Sequence, residues 1–264
     1  MNLKHAVVLW NKRINSSCYN IGLKCHKNFS HAVPGQFIML DLPGISPFLR
    51  RPFSIHKLII EKDSITGIEL LYRVVGEGTR MLANMQKGDI ASILGPLGNG
   101  FLIKNKFQRI FMVAGGIGVA PILFLSLFLQ KKGFNLSKVS IFIGAKNKDD
   151  LLCIDDFVNT GMNILIATDD GSYGEKGLIT DLLTIAVKEN RADIIFTCGP
   201  SPMLKQVAKI AEMHKISCQI SVESVMACGL GACLGCAIKG RDELNRYMHV
   251  CADGPVFNSK TLNL

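Results

Sequence analysis

The stretch Arg109-Ile-Phe-Met-Val-Ala-Gly-Gly-Ile-Gly-Val-Ala-Pro121 decides the fold of the second half of this 264-residue chain. Its apolar residues up to Val113 predict a buried strand, Gly115–Pro121 predict a tight loop, and an apolar helical sequence follows. Further strands are predicted at 139–143, 163–167 and 193–197, with helical spacing at 151–159, 178–189 and 201–213. Strands that alternate with helices indicate a parallel α/β sheet, here over residues 101–220.

The apolar run from Phe111 to Leu129 is close to the length that crosses a membrane. Its first half contains four residues that favour turns, namely Gly115, Gly116, Gly118 and Pro121. A buried strand, a loop and a buried helix explain the run better than a membrane helix, so no membrane association is predicted. The glycine loop follows the first strand of the predicted sheet, at the edge where such folds bind nucleotides.

Two turns at strand ends are candidates for nucleotide contact. The glycine loop is weak evidence alone, because Pro121 replaces the last glycine of the G-x-G-x-x-G fingerprint. Cys198-Gly-Pro200 supplies a second turn at another strand's carboxyl end, where a nicotinamide would fit, although Cys198 is also typical of a small buried core residue. The candidates are Gly115, Gly116, Gly118, Pro121, Cys198, Gly199 and Pro200.

Residues 1–100 have the pattern of a small antiparallel β-barrel. Short apolar runs at 6–10, 37–40, 65–75 and 90–94 are separated by Gly, Pro and Asp. Thr79 is predicted to be the N-cap of a helix at 80–85, after Gly76-Glu-Gly78. Free N–H groups at such a helix start bind anions, and Arg51 would add a bidentate phosphate ligand. Together these features indicate a pyrophosphate site, although a strand start and a glycine turn explain each of them singly.

Four cysteines near the C-terminus lie in Cys228-Gly-Leu-Gly-Ala-Cys233-Leu-Gly-Cys236 and at Cys251. The C-x4-C-x2-C spacing with a distant fourth cysteine is the plant-type arrangement for a [2Fe–2S] cluster. The intervening glycines favour a tight loop that turns N–H groups toward the sulfurs. A structural zinc site and unliganded reduced cysteines are the alternatives, but zinc sites usually have shorter cysteine pairs. Disulfides are not predicted, because nothing in the sequence indicates an oxidising compartment.

The composition is that of a globular protein with more than one core. Hydrophobic residues make up 48% of the chain and charged residues 19%, which does not fit a disordered protein. The length predicts two domains and a small module, at 1–100, 101–220 and 221–264. The net charge of +9 is scattered along the chain, so nucleic-acid binding is not predicted. Without a signal-peptide pattern, the chain is predicted to be cytoplasmic, with its nine cysteines reduced.

The order of these motifs resembles that of the ferredoxin-reductase superfamily over residues 1–220. The matching motifs are Arg51-Pro-Phe-Ser54, Gly76-Glu-Gly-Thr79, the glycine loop and Cys198-Gly-Pro200, followed by the cysteine module and its closing Cys251-Ala-Asp-Gly-Pro-Val-Phe257. With that module the whole chain resembles the electron-transfer subunits of NAD-linked, class 1B dihydroorotate dehydrogenases. Many reductases of the superfamily carry tyrosine at the position of Phe53, so a hydroxyl contact is missing here.

The resemblance implies three cofactors and an oxidoreductase function in pyrimidine (UMP) biosynthesis. FAD would lie on the barrel, NAD(H) on the α/β domain and a [2Fe–2S] cluster in the last module. The implied FAD contacts are Arg51, Pro52, Phe53, Ser54, Leu71, Tyr72, Arg73, Gly78 and Thr79, and the implied cluster ligands are Cys228, Cys233, Cys236 and Cys251. The choice between NAD and NADP stays open, because Lys146 and Lys148 lie beside Asp149 and Asp150 near the expected ribose pocket.

The resemblance also implies a partner chain. Electrons from dihydroorotate would reach FMN on a separate catalytic subunit, pass through the cluster and FAD, and leave as hydride to NAD+. The two chains would form a hetero-oligomer with two copies of each, and this chain would supply no catalytic residue for oxidising dihydroorotate. Electron-transfer subunits of hydrogenases, sulfite reductases and NADPH–ferredoxin transhydrogenases are the rival assignment, followed by a zinc-bound nucleotide-sensing module without redox activity.

Overall fold

The computed structural model describes residues 3–25, 27–42, 49–241 and 246–263. The strands are β1 (Leu3–Arg13), β2 (Cys18–Lys24), β3 (Phe37–Asp41), β4 (Arg51–Ser54), β5 (Lys57–Glu61), β6 (Ser64–Arg73), β7 (Ile90–Leu97), β8 (Ile110–Gly115), β9 (Val139–Ala145), β10 (Asn163–Thr168), β11 (Glu175–Lys176), β12 (Ile194–Cys198), β13 (Ser217–Ser221), β14 (Ala237–Lys239), β15 (Tyr247–His249) and β16 (Val256–Asn258). The α-helices are α1 (Glu77–Asn84), α2 (Val119–Lys131), α3 (Ile154–Val158), α4 (Ile179–Glu189) and α5 (Ser201–Met213). Short 3-10 turns lie at Lys27–His31, Gly116–Gly118, Leu136–Lys138, Lys148–Asp150 and Ser259–Thr261.

The first sheet is antiparallel and surrounds a core of aliphatic side chains. Its strand order is β4-β3-β7-β1-β2-β6-β5. Alternate residues of a strand share a face, and this places Ile21 and Leu23 of β2 in the same core as Ile68 and Leu70 of β6. This is the antiparallel, barrel-like sheet predicted for residues 1–100.

The second sheet has the order β11-β10-β9-β8-β12-β13-β16. All its pairings are parallel except that of β13 with β16. From the central strand β8 the chain passes to β9 and β10 on one side, and later crosses to β12 and β13 on the other. The strand order therefore reverses beside β8, which opens a crevice at the carboxyl ends of the strands.

The long apolar run is divided as the sequence predicts, into a buried strand, a loop and a helix. All six residues of β8 are buried, and most of α2 is buried as well, so both elements pack inside the α/β region. In the ranges that the structure describes, no helix combines the length and the apolar character needed to cross a bilayer. The sequence analysis did not predict β2, β5, β11, β13, β14, β15 or β16.

The chain leaves the second sheet after β13 and returns to it at β16. In between lie the cysteine loops and the β14–β15 hairpin. Phe37 and Met39 of β3 and Leu97 of β7 share one apolar cluster with Cys236 and Cys251. The cysteine module is thus packed against the first sheet and joined by β16 to the second. The boundaries drawn at 1–100, 101–220 and 221–264 stay predictions.

Candidate cofactor sites

A cavity of about 460 Å³ lies between the antiparallel sheet and the α/β sheet. Strand β4 supplies Arg51–Ser54 to its wall, and the end of β6 supplies Leu71–Arg73. Thr79 reaches the wall too, whereas Gly78 is buried within α1 and does not line it. The structure therefore brings eight of the nine predicted FAD residues around one cavity of ligand-binding size.

The opposite wall of this cavity was not found by sequence analysis. It includes Ile117 and Ala120 of the α/β region, residues 221–224 at the end of β13 and just after it, and Met226 and Pro255 of the cysteine module. Ile117 and Ala120 belong to the glycine loop and Pro255 to the closing motif of the cysteine module, but neither motif was predicted to contact FAD. They reach the cavity because β13 ends there and because the cysteine module is packed against the first sheet.

The prediction that Thr79 is the N-cap of α1 is wrong. The helix begins at Glu77, its N-cap is Gly76, and Thr79 is the third residue of its first turn. The Thr79 hydroxyl oxygen accepts hydrogen bonds from the backbone N–H groups of Val75 (2.9 Å) and Gly76 (3.1 Å). Thr79 therefore fixes the entry into the helix from inside its first turn, as the third residue of a capping box does.

Tyr72 forms an aromatic wall of the cavity and is held from three sides. Its ring stacks on Tyr19 with centroids 5.7 Å apart, and it meets the edge of Phe53 at 5.9 Å. The hydroxyl donates to Asn11 Oδ1 at 3.0 Å. Burial raises the pKa of Tyr72, so the hydroxyl stays a neutral donor and the ring is presented as a rigid apolar surface.

Arg73 lies at the boundary between two cavities, because it lines both the first cavity and a second one. Its Nη2 is 3.7 Å from Asp150 Oδ1 in the second cavity. On the side of the first cavity, Glu223 lies on the wall. Burial raises the pKa of Glu223, and the positive charge of Arg73 opposes that rise. One guanidinium thus faces a carboxyl group in each cavity.

The second cavity, of about 540 Å³, lies at the carboxyl ends of β8 and β9. Gly115, Gly116 and Pro200 line it, as predicted for the nucleotide site, and so does Lys146. The predicted candidates Gly118, Pro121, Cys198 and Gly199 are not among the residues that form its wall. Sequence analysis missed several lining residues, among them Asp169, Thr180, Asp181 and Met203.

Gly118 and Cys198 have a packing role behind the cavity wall. A Cβ on Gly118 would lie 2.4 Å from the carbonyl oxygen of Cys198, so only glycine lets the loop after β8 approach the end of β12 this closely. Cys198 is 2% exposed, and burial raises the pKa of its thiol to about 12. Cys198 is therefore a small buried core residue, which the sequence analysis gave as the alternative to nucleotide contact.

Charged side chains of both signs line the second cavity. Two cations, Arg73 and Lys146, face three carboxylates, Asp150, Asp169 and Asp181. A dinucleotide brings two phosphate charges, and NADP brings a further phosphate on the ribose. A wall with more carboxylates than cations therefore favours NAD(H) over NADP(H).

The four cysteines of the C-terminal module approach one another as two pairs. The thiol and the backbone N–H of Cys233 both form hydrogen bonds with Cys228, and the backbone nitrogen lies 3.4 Å from Cys228 Sγ. The sulfurs of Cys236 and Cys251 are 3.2 Å apart. Among the described residues, no three His, Cys, Asp or Glu side chains converge on a single metal position. Two thiol pairs fit a two-iron cluster, which takes two cysteines per iron, better than they fit one zinc ion with four ligands.

Backbone N–H groups point at these sulfurs. Leu230 N donates to Cys228 Sγ at 3.3 Å, and Gly231 N donates to Cys251 Sγ at 3.0 Å. The Leu230 bond is the main reason that the pKa of Cys228 falls to about 6, while burial raises that of Cys251 to about 12. Gly231 has φ +79°, a conformation that glycine adopts without strain. The loop therefore has the N–H donors that a cluster's sulfurs require.

Comparison with known proteins shows the family. Residues 223–263 match the family described as the iron-sulfur cluster binding domain of dihydroorotate dehydrogenase B, and residues 112–209 match the oxidoreductase NAD-binding domain. Over 253 residues the chain is 42% identical to the dihydroorotate dehydrogenase B (NAD(+)) electron transfer subunit of Caldanaerobacter subterraneus subsp. tengcongensis, covering 96% of this chain and 95% of that protein. The chain belongs to this family of electron transfer subunits. The same subunit of Bacillus velezensis is 36% identical over 267 residues, with 100% of both chains covered.

Solved structures give the same fold. The NADH-dependent reduced ferredoxin-NADP oxidoreductase, described as a case of flavin-based electron bifurcation, superposes with a TM-score of 0.85 at 26% identity, over 98% of this chain and 89% of that chain. A ferredoxin NADP+ reductase from Neisseria gonorrhoeae superposes with a TM-score of 0.68 at 17% identity, over 81% of this chain and 92% of that chain. The predicted fold class, an antiparallel barrel followed by a parallel α/β sheet and a small iron–sulfur module, is confirmed.

Several further predictions are settled by these relatives. The chain is an oxidoreductase subunit that transfers electrons for an NAD-linked dihydroorotate dehydrogenase, with a role in pyrimidine biosynthesis. The predicted cofactor set of FAD, an iron–sulfur cluster and NAD(H) is supported as well. As an electron transfer subunit of dihydroorotate dehydrogenase B, it has a catalytic partner subunit. The NADH-dependent reduced ferredoxin-NADP oxidoreductase is 26% identical to this chain, whereas the dihydroorotate dehydrogenase B relative is 42% identical.

Proposed function

We propose that this chain passes electrons between FMN of the dihydroorotate dehydrogenase catalytic subunit and NAD+, by way of a [2Fe–2S] cluster and FAD. The observation that carries the proposal is the sharing of wall residues between neighbouring sites. Arg73 belongs to both cavities, and Met226 and Pro255 of the cysteine module line the first cavity. The first cavity, proposed below as the FAD cavity, thus lies between the second cavity, proposed as the nucleotide cavity, and the cysteine module. This is the order that the proposed electron path needs.

The first cavity would hold FAD. Arg51 on β4 lines this cavity and would bind a phosphate, since a guanidinium suits bidentate contact with phosphate oxygens. The ring of Tyr72, with Phe53 beside it, would pack against the flavin. When bound, flavin supplies the conversion between two-electron hydride transfer and one-electron transfer. Burial raises the pKa of Glu223, which lies on the wall of the same cavity, and the positive charge of Arg73 opposes that rise.

The second cavity would hold NAD(H). Arg73 and Lys146 would bind the phosphates, and Asp169 or Asp181 would accept hydrogen bonds from ribose hydroxyls. Because Arg73 also lines the FAD cavity, a dinucleotide held by it would bring its nicotinamide toward the flavin. The excess of carboxylates supports NAD(H) as the nucleotide.

The cluster would be held by Cys228, Cys233, Cys236 and Cys251. The two thiol pairs and the N–H groups of the loop support this assignment. Reduced thiols are needed for such a site, so we place the protein in the cytoplasm, where thiols stay reduced.

The FMN-containing catalytic subunit would dock over Cys233, in a hetero-oligomer with two copies of each chain. Cys233 is exposed, and the neighbouring Leu230, Leu234 and Val225 are 45%, 57% and 86% exposed. An apolar rim around an exposed cluster ligand suits a protein interface through which electrons pass. The oxidation of dihydroorotate itself would take place on the partner subunit.

The proposal is tested by measuring the cofactors and activities of this chain alone, and then with the catalytic subunit added. The purified chain should contain FAD and show the paramagnetic resonance signal of a reduced [2Fe–2S] cluster. It should oxidise NADH with an artificial one-electron acceptor but form no orotate from dihydroorotate until the catalytic subunit is added. Orotate formation by the isolated chain would overturn the proposal, as would a colourless protein with stoichiometric zinc.

Two cysteine variants sharpen this test. Cys233→Ser should lose the cluster signal and the partner-dependent reaction while it retains FAD and most of its activity with the artificial acceptor. Cys153→Ser is the matched control, because Cys153 lies at the start of α3, in another part of the fold. Retention of the cluster in Cys228→Ser, Cys233→Ser and Cys236→Ser alike would contradict the ligand assignment.

A further inference from the structure

The connector Gly95-Pro-Leu-Gly-Asn-Gly100 lines neither cavity, but it holds the segment that follows Cys251. Asn99 Nδ2 donates to the carbonyl oxygens of Ala252 (3.1 Å) and Asp253 (3.0 Å). The backbone N–H of Asn99 donates to the carbonyl oxygen of Gly254 at 2.6 Å. One residue of the connector thus binds three consecutive carbonyl groups of the cysteine module.

This segment joins two of the proposed cofactor sites. It begins at Cys251, a proposed cluster ligand, and ends at Pro255, which lines the FAD cavity. Ala252 and Asp253 between them are exposed, so packing alone does not hold them in place. The N–H groups of Ala252 and Asp253 donate to the carbonyl oxygen of His249, within the cysteine module. The bonds from Asn99 are those that tie the carbonyl groups of this segment to the connector of the first sheet.

Gly98 makes this close approach possible. Its φ is +72°, and a Cβ there would lie 2.6 Å from Pro255 Cδ and 2.7 Å from the carbonyl oxygen of Gly254. The carbonyl oxygen of Gly98 accepts from Gln36 Nε2 at 2.9 Å. Gln36 directly precedes β3, which pairs with β4, the strand that carries Arg51 into the FAD cavity. The connector is therefore hydrogen-bonded both to the first sheet, through Gln36, and to the cysteine module, through Asn99.

We propose that Gly98 and Asn99 are positioning residues for electron transfer, which fix the separation between the cluster and FAD by holding residues 251–255. The inference rests on the proposed function. Electron transfer between two carriers slows steeply as they move apart, so a small displacement of this segment matters even when every ligand is present. Residues that orient ligands without touching the metal commonly have this role.

Three variants test the proposal in the full chain with its cofactors. Asn99→Asp keeps the shape of the side chain but removes both donated hydrogen bonds. Asn99 is exposed, so this change leaves no cavity. Gly98→Ala displaces the segment directly. The control is Asn135→Ala, an exposed asparagine that accepts hydrogen bonds from Ser137 in the loop before β9.

We expect Asn99→Asp and Gly98→Ala to retain FAD and the oxidation of NADH by an artificial acceptor that takes electrons directly from flavin. In stopped-flow measurements, reduction of the cluster by NADH should be severalfold slower than in the wild type. The paramagnetic resonance line shape of the reduced cluster should change, and iron should be released faster to a chelator. Asn135→Ala should match the wild type in all of these measurements.

Wild-type cluster reduction, line shape and iron release in Asn99→Asp would overturn the inference. This variant decides the matter even if Gly98→Ala fails to fold. Failure of the proposed function would look different, because the wild-type chain itself would then lack FAD or the cluster, or would not reduce the cluster with NADH.

Discussion

Changing Tyr72 to phenylalanine would separate two roles of this side chain. The hydroxyl donates to Asn11 Oδ1 at 3.0 Å, and the Asn11 amide in turn donates to two carbonyl groups at the end of α1. Loss of the hydroxyl removes one net hydrogen bond, worth about 0.5–1.5 kcal/mol. The ring keeps its contacts with Tyr19 and Phe53. We therefore expect Tyr72→Phe to lower the free energy of unfolding by about 1 kcal/mol and to leave FAD affinity unchanged.

Tyr72→Ala should have a larger effect on both properties. The side chain is 2% exposed, and deletion of a buried aromatic ring costs about 3–5 kcal/mol. The same deletion removes a wall of the proposed FAD cavity, so FAD should dissociate from this variant during gel filtration. The difference between the two variants measures the contribution of the ring.

The assay is urea unfolding of the FAD-free chain, together with a fluorescence titration of FAD. Tyr247→Phe is the matched control, because Tyr247 lies in β15 and is 67% exposed. Its unfolding free energy and its FAD affinity should both equal those of the wild type. If Tyr72→Phe lost FAD as readily as Tyr72→Ala, the hydroxyl would have to contact the cofactor, and the reasoning from Asn11 would be refuted.

Two further predictions concern charges in the cavities. Burial raises the pKa of Glu223, so its contribution to stability is present at low pH and is lost as the pH rises through the raised value. Glu223→Gln should therefore match the Tm of the wild type at about pH 4 and exceed it at about pH 8, and a constant difference in Tm would contradict this. Asp150→Asn releases Arg73 from its partly exposed ion pair and should lower the Kd for NADH by up to about fivefold, because such a pair is worth at most about 1 kcal/mol. Asp149→Asn should leave the Kd unchanged, and equal effects of both changes in calorimetry would count against the Arg73–Asp150 pair.

The sequence predicted elements whose pattern is local and missed those formed by their neighbours. Strand β8 was predicted because it is apolar throughout and is followed by a glycine loop. Strand β13 reads Ser-Cys-Gln-Ile-Ser and has no such pattern. It is a strand because β12 pairs with one of its edges and β16 with the other. Residues 221–224 of the FAD cavity lie at the end of β13 and just after it, so they were missed with it.

The candidate site residues also divide into those marked by a local sequence pattern and those defined by contacts between distant residues. The resemblance implied Arg51–Ser54 and Leu71–Arg73 as FAD contacts, and both stretches line one cavity. Thr79 was placed at the wrong capping position, because threonine is favoured at an N-cap and its alternative role inside the first turn depends on Gly76. The contacts of Asn99 join residues more than 150 positions apart in the sequence, and no local pattern indicates them.

The position of Arg73 gives a physical reason for the order of the three sites. A cation in the wall between two cavities attracts anionic groups from both sides, so a dinucleotide and FAD would meet at this residue. The cysteine module contributes Met226 and Pro255 to the wall of the FAD cavity. None of the four cysteines lines either cavity, but residues of their module line the first cavity and not the second. On the proposed function, an electron that enters at Cys233 would therefore reach the nucleotide by way of the first cavity, where bound flavin would convert one-electron into two-electron transfer.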